Sequence, residues 1–385
     1  MKNLSVFHAS VVHSPYDDRI FFRQAQTLAS HYKKIYVVGF EDGLELMNNG
    51  CKHILVIKII KQPIKAMCLE IYNWFIKINP SIIHIHDPYL IHIACKYKST
   101  HNSVQIIYDI HENWSLLIAL LSKQFFIKKY LHALYIHLVE KYYLHKLNGI
   151  VVPDNDLYNK YHNYKNVIQI RNYATKGQKI NNSTRHQLII NKIIEFKKDC
   201  QLLVYVGHVD SSRKLDIPIK AVAQCNNKFD LKIKFLIIGP GDAAYIKELN
   251  ALSTQHNQST LIIQPVLYNQ IYDVLSKGDF GWAAIPDNLN FKNRIPNKIF
   301  DYMRSGLIII GSNLIFTKNL INQNSIGYIL EHINVNSSVQ ILRAALNNKK
   351  NHTLKIKIKN LFKEKYNWDT QEAKKLINFY SHIVQ

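Results

Sequence analysis

Short, almost uninterrupted apolar runs alternate along the chain with segments whose apolar residues recur every three or four positions. The first pattern is typical of strands buried on both faces of a parallel sheet, and the second of helices with one apolar face. Strands are predicted at residues 4–7, 35–40, 53–60, 82–88, 104–113, 149–153, 167–172, 202–207, 233–238, 261–266, 280–286, 307–310 and 326–330. Helices are predicted at residues 20–32, 64–78, 217–223, 245–252, 271–275, 296–306, 337–346, 354–362 and 369–383, with two more inside 114–148. This alternation predicts an α/β protein with parallel sheets.

A polar segment divides the alternating pattern into two halves, as expected for a chain of 385 residues. We predict a first domain over residues 1–175, a linker with one helix over 176–199, and a second domain over 200–367. The last segment, 368–385, is expected to pack back on the first domain. The carboxyl edges of the two sheets would face each other across a cleft, which is a usual place for a ligand.

The most informative loop, residues 288–297, lies between a predicted strand and a short helix. Such a loop stands at the carboxyl end of its strand, where open α/β sheets bind ligands. Lys292, Arg294 and Lys298 make it basic, and the free N–H groups of a helix N-terminus also favour an anion. Asp301, one turn into the helix, is placed to bind sugar hydroxyls. The alternative interpretation is a solvated loop in which Asp301 only complements the helix dipole.

Two other predicted strands end in titratable residues. His84, His86 and Asp87 end one of them, and His111 and Glu112 end the other. The three histidines are candidate metal ligands. However, strand alternation sends His84 and His86 to one face without closing a site, so metal binding is the less favoured interpretation.

Composition excludes several classes of protein. Hydrophobic residues make up 47% of the chain, and the five cysteines are scattered without a C-x-x-C pair, which fits a reducing cytoplasm. No apolar run approaches the roughly 18 residues of a membrane span, and polar residues interrupt the N-terminal run, which predicts a strand rather than a signal peptide. The absence of G-x-G-x-x-G and of a P-loop lysine weakens dehydrogenase and NTPase interpretations.

The chain is strongly basic, with a net charge of +22. Such a charge favours anionic partners, although abundant Lys, Asn, Ile and Tyr also fit a compositional bias without function. Residues 114–148 combine aromatic and basic side chains. They are interpreted either as core helices with lysines at the edges or as a face for an anionic membrane.

A series of short motifs follows in a recognisable order. They are residues 13–20 (HSPYDDRI), 83–88 (IHIHDP), 108–112 (YDIHE), 205–207 (YVG) with Arg213 six residues on, 296–303 (PNKIFDYM) with Gly306, and 366–368 (YNW). Together they resemble the retaining glycosyltransferases of family 4, and the resemblance covers essentially the whole chain. It implies the GT-B fold, in which two Rossmann-like domains with parallel sheets face each other across a cleft.

The resemblance implies transfer of a sugar from a nucleotide donor with retention at the anomeric carbon, and neither a metal nor another cofactor. Arg213 and Lys298 would neutralise the donor diphosphate, since cations aimed at a leaving phosphate stabilise its developing charge. Asp301 resembles the second acid of the family's E-x7-E pair, which holds the ribose. Further donor-binding residues implied in this way are Gly207, Lys214, Asn293 and Asn297.

The chain departs from the family pattern in the E-x7-E pair. Asn293 stands where the first acid is expected, and the second acid is Asp rather than Glu. In place of this acid, Asp287 or backbone N–H groups of the loop would then contact the donor sugar. His208 also stands where the family has a basic residue, which leaves Arg213 and Lys214 to carry the phosphate charge.

On the acceptor side, His111 resembles the histidine that lies near the donor sugar. The donor phosphate would itself take the acceptor proton, with Glu112 as the alternative base. The other residues assigned to the acceptor side are Asp18, Arg19, His86 and Asp87.

We therefore expect a cytoplasmic enzyme, held peripherally at the inner face of the membrane, that acts on a lipid-linked glycan in surface-polysaccharide assembly. UDP-sugars are the favoured donors, followed by GDP-mannose. No nucleic-acid motif supports a nucleic-acid partner. A nucleotide-sugar epimerase of the same fold, a basic nucleic-acid-binding protein and an inactive glycan-binding protein are the alternatives, and the oligomeric state stays open.

Overall fold

The computed structural model describes residues 2–40, 52–121, 125–177, 184–287 and 295–385. The chain divides into two compact units. Unit 1 comprises Met1–Thr175 and Trp368–Gln385, and unit 2 comprises Lys176–Asn367. Residues 176–199 therefore count with unit 2.

Unit 1 is built on a parallel sheet. Its strands are β1 (Lys2–Ala9), β2 (Tyr32–Phe40), β3 (Ile54–Ile59), β4 (Ile82–Ile85), β5 (Gln105–Asp109), β6 (Gly149–Val152) and β7 (Val167–Gln169), in the order β3-β2-β1-β4-β5-β6-β7. Its helices include a π-helix (Asp18–Ala25), α1 (Gln26–Leu28), α2 (Ile64–Ile78), α3 (Ile91–Thr100), α4 (Trp114–Leu121), α5 (Phe126–Tyr143) and α6 (Asn155–Tyr161). The strand order reverses between β1 and β4, which creates the crevice where such sheets bind ligands.

Apolar spacing explains how α2 covers this sheet. Met67, Ile71 and Phe75 recur at intervals of four and are buried, so they form one face. Phe75 meets Phe7 of β1 edge to face, with ring centroids 5.1 Å apart. The helix ends at Asn79, whose left-handed backbone (φ 48°) closes the last turn.

Unit 2 repeats the design with a second parallel sheet. Its strands are β8 (Gln201–Val206), β9 (Ile233–Ile238), β10 (Thr260–Ile263), β11 (Phe280–Ala283), β12 (Ile308–Ser312) and β13 (Gly327–Leu330), in the order β10-β9-β8-β11-β12-β13. Its helices include α7 (Thr184–Lys197), α8 (Asp216–Phe229), α9 (Ala243–Gln255), α10 (Tyr268–Leu275), α11 (Lys298–Ser305), α12 (Ile315–Asn324), α13 (Val335–Leu346) and α14 (Asn351–Lys365). Here the order reverses between β8 and β11. The two Rossmann-like α/β sheets predicted from the sequence are confirmed.

The end of the chain belongs to unit 1. A π-helix (Trp368–Glu372) and α15 (Ala373–Val384) form this segment. Trp368 Nε1 donates to Thr27 Oγ1 at 2.9 Å, and Glu372 Oε2 accepts from the backbone N–H of Arg171 at 2.9 Å. A Cβ at Gly149 would lie 2.5 Å from the Phe379 ring, so β6 and α15 pack closely. Among the described residues, every helix is too short or too polar to cross a membrane.

Candidate active site

The two loops at the strand reversal of unit 1 are tied together by Asp87. Its Oδ2 accepts hydrogen bonds from Ser10 Oγ (3.0 Å) and from the Val11 N–H (2.8 Å) in the loop after β1. The N–H of His86 also donates to the Ala9 carbonyl at 3.0 Å. Burial raises the pKa of Asp87 above its ordinary value. The loop after β1 is therefore fixed against the end of β4.

A buried ion pair joins the π-helix to the end of β5. Arg19 donates to Asp109 through Nε (2.7 Å to Oδ2) and Nη2 (2.8 Å to Oδ1), which is a bidentate pair. Its Nη1 donates to the Ile170 carbonyl (3.0 Å) and to Asn172 Oδ1 (2.5 Å). Burial alone would raise the pKa of Asp109, but the Arg19 guanidinium and the neighbouring histidines hold that pKa well below its usual range. The carboxylate is thus ionised inside the protein.

Three buried histidines stack on one face of the unit 1 sheet. His8 and His84 are direct partners in the β1–β4 register, and His86 follows two residues later on the same face. Nδ1 of His8 lies 3.0 Å from Nε2 of His86, and Nδ1 of His84 lies 2.5 Å from the Tyr380 hydroxyl of α15. Burial lowers the pKa of all three histidines, that of His86 to about 3, so they are neutral at pH 7.

His111 connects this stack to the surface. Its Nε2 lies 3.1 Å from His86 Nδ1 and 3.3 Å from Asp109 Oδ2, and its side chain is 9% exposed. The His13 ring lies 4.8 Å away, centroid to centroid. His13 Nδ1 is 3.4 Å from Asp17 Oδ2; burial opposes its protonation, but this hydrogen bond raises the pKa of His13 above its ordinary value. The imidazoles of His13 and His111 thus lie beside each other near the surface.

The residues predicted for the acceptor side differ in how far they are buried. Arg19, His86 and Asp87 are buried and bonded to other groups of unit 1. Asp18 is 41% exposed and accepts from Arg23 Nη1 at 2.7 Å, and Glu112 is partly buried. Because they are buried, these three residues would influence a bound acceptor only through neighbours that reach the surface, such as His111. The acceptor-side assignment stays a prediction.

Two groups of side chains among the described residues have ligand atoms close enough for a metal ion: His8 with His84 and His86, and His86 with Asp109 and His111. The candidate set from the sequence, His84, His86 and His111, matches neither group. In the first group the imidazole rings stack at interplanar angles of 19° to 37°. In the second, the Arg19 guanidinium already neutralises Asp109, which disfavours a dication. The chemistry of the second group fits an inward hydrogen-bond network better than a metal centre.

In unit 2, the end of β8 meets the start of α11. Lys298 is the first residue of α11, and its Nζ lies 3.6 Å from the centroid of the Tyr205 ring. A Cβ at Gly207 would lie 3.0 Å from this ammonium, and Gly207 has a φ of 138° that only glycine adopts readily. Burial, and then the nearby Arg213, lower the pKa of Lys298 well below its ordinary value. Two basic side chains therefore share the carboxyl end of β8.

Arg213 lies in a short helical turn after β8. The turn begins at Asp210, whose Oδ1 accepts from the Ser212 N–H at 2.9 Å, and Arg213 Nε is 3.6 Å from Asp210 Oδ2. Lys214 ends the turn in a left-handed backbone conformation and is exposed. The two residues of this turn that were predicted to bind phosphate, Arg213 and Lys214, thus lie on one capped segment at the strand reversal.

The remaining predicted donor residues lie on and before α11. Asp301 is buried and its Oδ1 is 3.7 Å from Nη2 of Arg304, while Asn297 is exposed at the start of the helix. Asn293 lies outside the described residues, as do Lys292 and Arg294. The predicted contact between Asn293 and the donor stays a prediction.

Sequence reasoning missed His8, Asp109 and Tyr205 as parts of these clusters. His8 could have been found because it sits at an inward position of β1, level with His84 of β4. The pairing of Asp109 with Arg19 spans 90 residues and leaves no local signal.

Comparisons with known proteins agree with this architecture. Residues 200–348 match the family described as "Glycosyl transferases group 1". No curated protein sequence matches the chain significantly. The solved structure of sucrose-phosphate synthase from Thermosynechococcus elongatus is similar to the chain with a TM-score of 0.73 at 13% identity, covering 99% of each chain. HepE from Anabaena in complex with UDP-glucose is similar with a TM-score of 0.70 at 12% identity, covering 99% of this chain and 100% of HepE.

A third similar structure is WaaG, a glycosyltransferase involved in lipopolysaccharide biosynthesis, with a TM-score of 0.67 at 11% identity over 97% of this chain and 99% of WaaG. At such identities the likeness establishes the fold. The chain therefore has the GT-B fold, and the family match within unit 2 supports a glycosyltransferase.

Proposed function

We propose that the protein is a retaining glycosyltransferase of the family 4 type that moves a sugar from a nucleotide donor to a lipid-linked glycan in surface-polysaccharide assembly. One observation carries the proposal: Lys298 and Arg213 meet at the carboxyl end of β8, beside Gly207, inside the glycosyl transferases group 1 match. Two cations at the strand reversal of a Rossmann-like sheet suit a diphosphate. HepE, which has this fold, was solved with UDP-glucose, and this favours a UDP-sugar over GDP-mannose.

The donor would bind to unit 2. Lys298 and Arg213 neutralise the diphosphate, and the first N–H groups of α11 add partial positive charge. Asp301, one turn into α11, accepts hydrogen bonds from the ribose hydroxyls. Because negative charge develops on the departing diphosphate, these cations stabilise the transition state and take the place of a metal.

The acceptor would bind to unit 1 near His111. Retention at the anomeric carbon requires the new bond to form on the face that the nucleotide leaves. The donor phosphate is then close enough to take the proton of the attacking hydroxyl. His111 holds that hydroxyl or the donor sugar, and Glu112 is the alternative base.

A thermal-shift screen against UDP-, GDP- and dTDP-sugars tests the donor assignment. A ligand at about 100 times its Kd adds roughly 2.7 kcal/mol to the free energy of unfolding. We expect a UDP-sugar to raise the Tm and UMP, which lacks the second phosphate, to raise it less. The anomeric configuration of the product, read by NMR, tests retention. No stabilisation by any nucleotide sugar would refute the proposed function.

The exposed side of α5 supports a place at the membrane. Large apolar side chains lie on one side of this helix, each about half exposed or more; we call Ile127, Tyr130, Leu131, Leu134, Tyr135, Leu138 and Tyr142 the α5 apolar face. Lys128 and Lys141 flank it and are exposed. Apolar side chains bordered by lysines suit the headgroup layer of an anionic membrane. We therefore propose peripheral attachment to the cytoplasmic leaflet, which would present the lipid-linked acceptor to His111.

A further inference from the structure

The buried side chains of Asp109 and His86 contact the inward-facing nitrogen of the His111 imidazole. Among the described residues, its Nε2 faces Asp109 Oδ2 at 3.3 Å and His86 Nδ1 at 3.1 Å. Both of these atoms belong to fully buried side chains, whereas His111 reaches the surface. The Nε2 atom of His111 is therefore used in contacts within the protein, which leaves Nδ1 as the nitrogen that can contact a ligand.

The state of Asp109 decides which nitrogen of His111 carries the proton. Arg19 donates two hydrogen bonds to this carboxylate, and Gln24 Nε2 donates a third at 2.5 Å. A carboxylate in this state is an acceptor only. A lone pair on His111 Nε2 would face it at hydrogen-bond distance and be repelled. Nε2 must therefore be an N–H donor.

His86 completes the arrangement as a second acceptor. Its Nδ1 also faces Asp109 Oδ2, at 3.5 Å, but only one of two nitrogens that lie 3.1 Å apart can carry the proton between them, and the shorter contact of His111 Nε2 with Asp109 assigns the proton to His111. A neutral imidazole has one donor and one acceptor nitrogen. If His86 Nδ1 accepts from His111, then His86 Nε2 donates to His8 Nδ1, which lies 3.0 Å away. The burial of His8 and His86 keeps both neutral, as this directed chain requires.

We infer that Asp109 and His86 are positioning residues that hold His111 in its Nε2-protonated tautomer, so that Nδ1 presents a lone pair to a hydroxyl of a bound sugar. This inference rests on the proposed function for the identity of the ligand, but the tautomer itself does not. An inward-facing Asp that fixes the tautomer of an imidazole is a known arrangement in active sites on unrelated folds.

The tautomer is measured directly in the full-length, ligand-free protein. Nitrogen-15 NMR of the histidine side chains distinguishes Nε2–H from Nδ1–H, and His111→Gln assigns the His111 signals. We expect the Nε2–H form. An Nδ1–H form of His111 would overturn the inference whatever the enzyme does, and a metal-bound spectrum that changes on chelation would overturn it in favour of a metal site.

Substitutions of His86 then test the positioning role. Asn places an oxygen near the position of Nδ1, so His86→Asn keeps an acceptor for His111, whereas His86→Leu removes it. We expect His86→Leu to lower kcat/KM at least about tenfold, because the other tautomer of His111 would turn an N–H instead of a lone pair toward the sugar hydroxyl, and His86→Asn to restore most of it. His84→Asn is the matched control, because His84 belongs to the same buried stack but faces Tyr380.

Equal losses in His86→Leu, His86→Asn and His84→Asn would indicate a purely structural role and refute the inference. Full activity of His111→Ala would instead refute the proposed role of His111 in catalysis while leaving the measured tautomer intact. If His86→Leu does not fold, the NMR measurement and the His86→Asn variant still decide.

Discussion

The ammonium of Lys298 lies on the face of the Tyr205 ring, 3.6 Å from its centroid. The Tyr205 hydroxyl donates to the His208 carbonyl at 2.7 Å, so the ring is held from its other end. When Lys298 is protonated, the attraction between its ammonium and the aromatic face keeps it at the carboxyl end of β8 before any anion is bound. The absence of a side chain at Gly207 leaves the space for this contact.

This placement predicts that nucleotide binding depends on pH through Lys298. Burial, and then Arg213, lower the pKa of Lys298 in the free protein, and a bound diphosphate would raise it again. Binding therefore takes up a proton, and the affinity for UDP falls as the pH rises through the lowered pKa, by up to about tenfold per pH unit. Isothermal titration calorimetry between pH 6 and 9, in buffers of different ionisation enthalpy, measures this uptake.

Lys298→Arg is the control, because a guanidinium stays charged throughout this range. It should flatten the pH dependence of Kd and abolish the extra proton uptake. If the variant shows the same slope as the native protein, the proton belongs to another group, such as His208 or the nucleotide phosphate.

Arg213→Ala is expected to lower kcat/KM at least about a hundredfold, because a group that stabilises charge on the leaving phosphate is worth a few kcal/mol in the transition state. Circular dichroism and Tm should change little, since the turn that carries Arg213 is largely exposed. Arg343→Ala is the matched control: Arg343 stacks on Phe229, 3.8 Å from the ring centroid, and stands apart from the proposed donor site. Normal turnover by a folded Arg213→Ala variant would remove this residue from the donor site.

The alternation of apolar runs was sufficient to predict both sheets. The bounds of α2 and β9 agree with those predicted from their apolar spacing, because burial on one or both faces decides such segments. The prediction of one helix over residues 20–32 was wrong at both ends: a π-helix begins at Asp18, and Tyr32 already belongs to β2. Short helices such as α3 and α12 were not predicted, because their polar residues mask the apolar period.

The site was predictable only where its residues are close in sequence. Lys298 and Asp301 lie on one turn of α11, so the loop and helix signals located both. The His86–Asp109–His111 cluster depends on neighbouring strands and on side-chain rotamers, which no local pattern specifies. Its link to Arg19 depends on the path of the chain through the whole of unit 1.

Activity is expected to persist in excess EDTA. Lys298 and Arg213 supply the positive charge that a metal would otherwise bring to a diphosphate. The D-x-D triplet of the sequence, Asp154-Asn155-Asp156, lies in unit 1, where Asp154 caps α6 by accepting from the Leu157 N–H. Initial rates would be compared in EDTA, in Mg²⁺ and in Mn²⁺, after dialysis against the chelator. Complete loss of activity that Mn²⁺ or Mg²⁺ restores would contradict the assignment of these cations as the metal's substitute.

The histidine stack predicts that acid destabilises unit 1. The pKa values of His8, His84 and His86 in the folded protein lie below the value of about 6.5 expected for the unfolded chain. Between that value and about 3, the pKa of folded His86, the unfolded chain binds more protons. The free energy of unfolding therefore falls as the pH falls, by up to about 1.4 kcal/mol per pH unit for each such histidine.

Urea unfolding of the full chain from pH 4 to 8 measures this slope, with signals from both units recorded. His84→Phe removes one of the titrating groups, so its slope below pH 6.5 should be smaller by up to about one proton. A slope that is unchanged in the variant would mean that other groups govern acid unfolding.

The α5 apolar face is expected to bind anionic vesicles reversibly. Leu134 and Leu138 are 52% and 54% exposed, and they lie on one side of the helix together with Tyr130 and Tyr135. Apolar contact and the attraction of nearby lysines, each worth up to about 1 kcal/mol at an anionic surface, should act together. Sedimentation with phosphatidylglycerol vesicles at low salt should therefore recover the protein in the pellet, and high salt or neutral vesicles should release part of it.

Two kinds of variant separate these contributions. The triple change Lys123→Glu, Lys128→Glu and Lys129→Glu should weaken binding mainly at low salt. Lys123 lies outside the described residues. The double change Leu134→Ser and Leu138→Ser should weaken vesicle binding at every salt concentration, because salt does not screen the apolar contact. Leu188→Ser is the control, since Leu188 is 64% exposed on α7 of unit 2. Absence of vesicle binding at low salt would reject the membrane assignment. If instead the native protein self-associates and the α5 variants are monomeric, the α5 apolar face is a contact between copies of the chain.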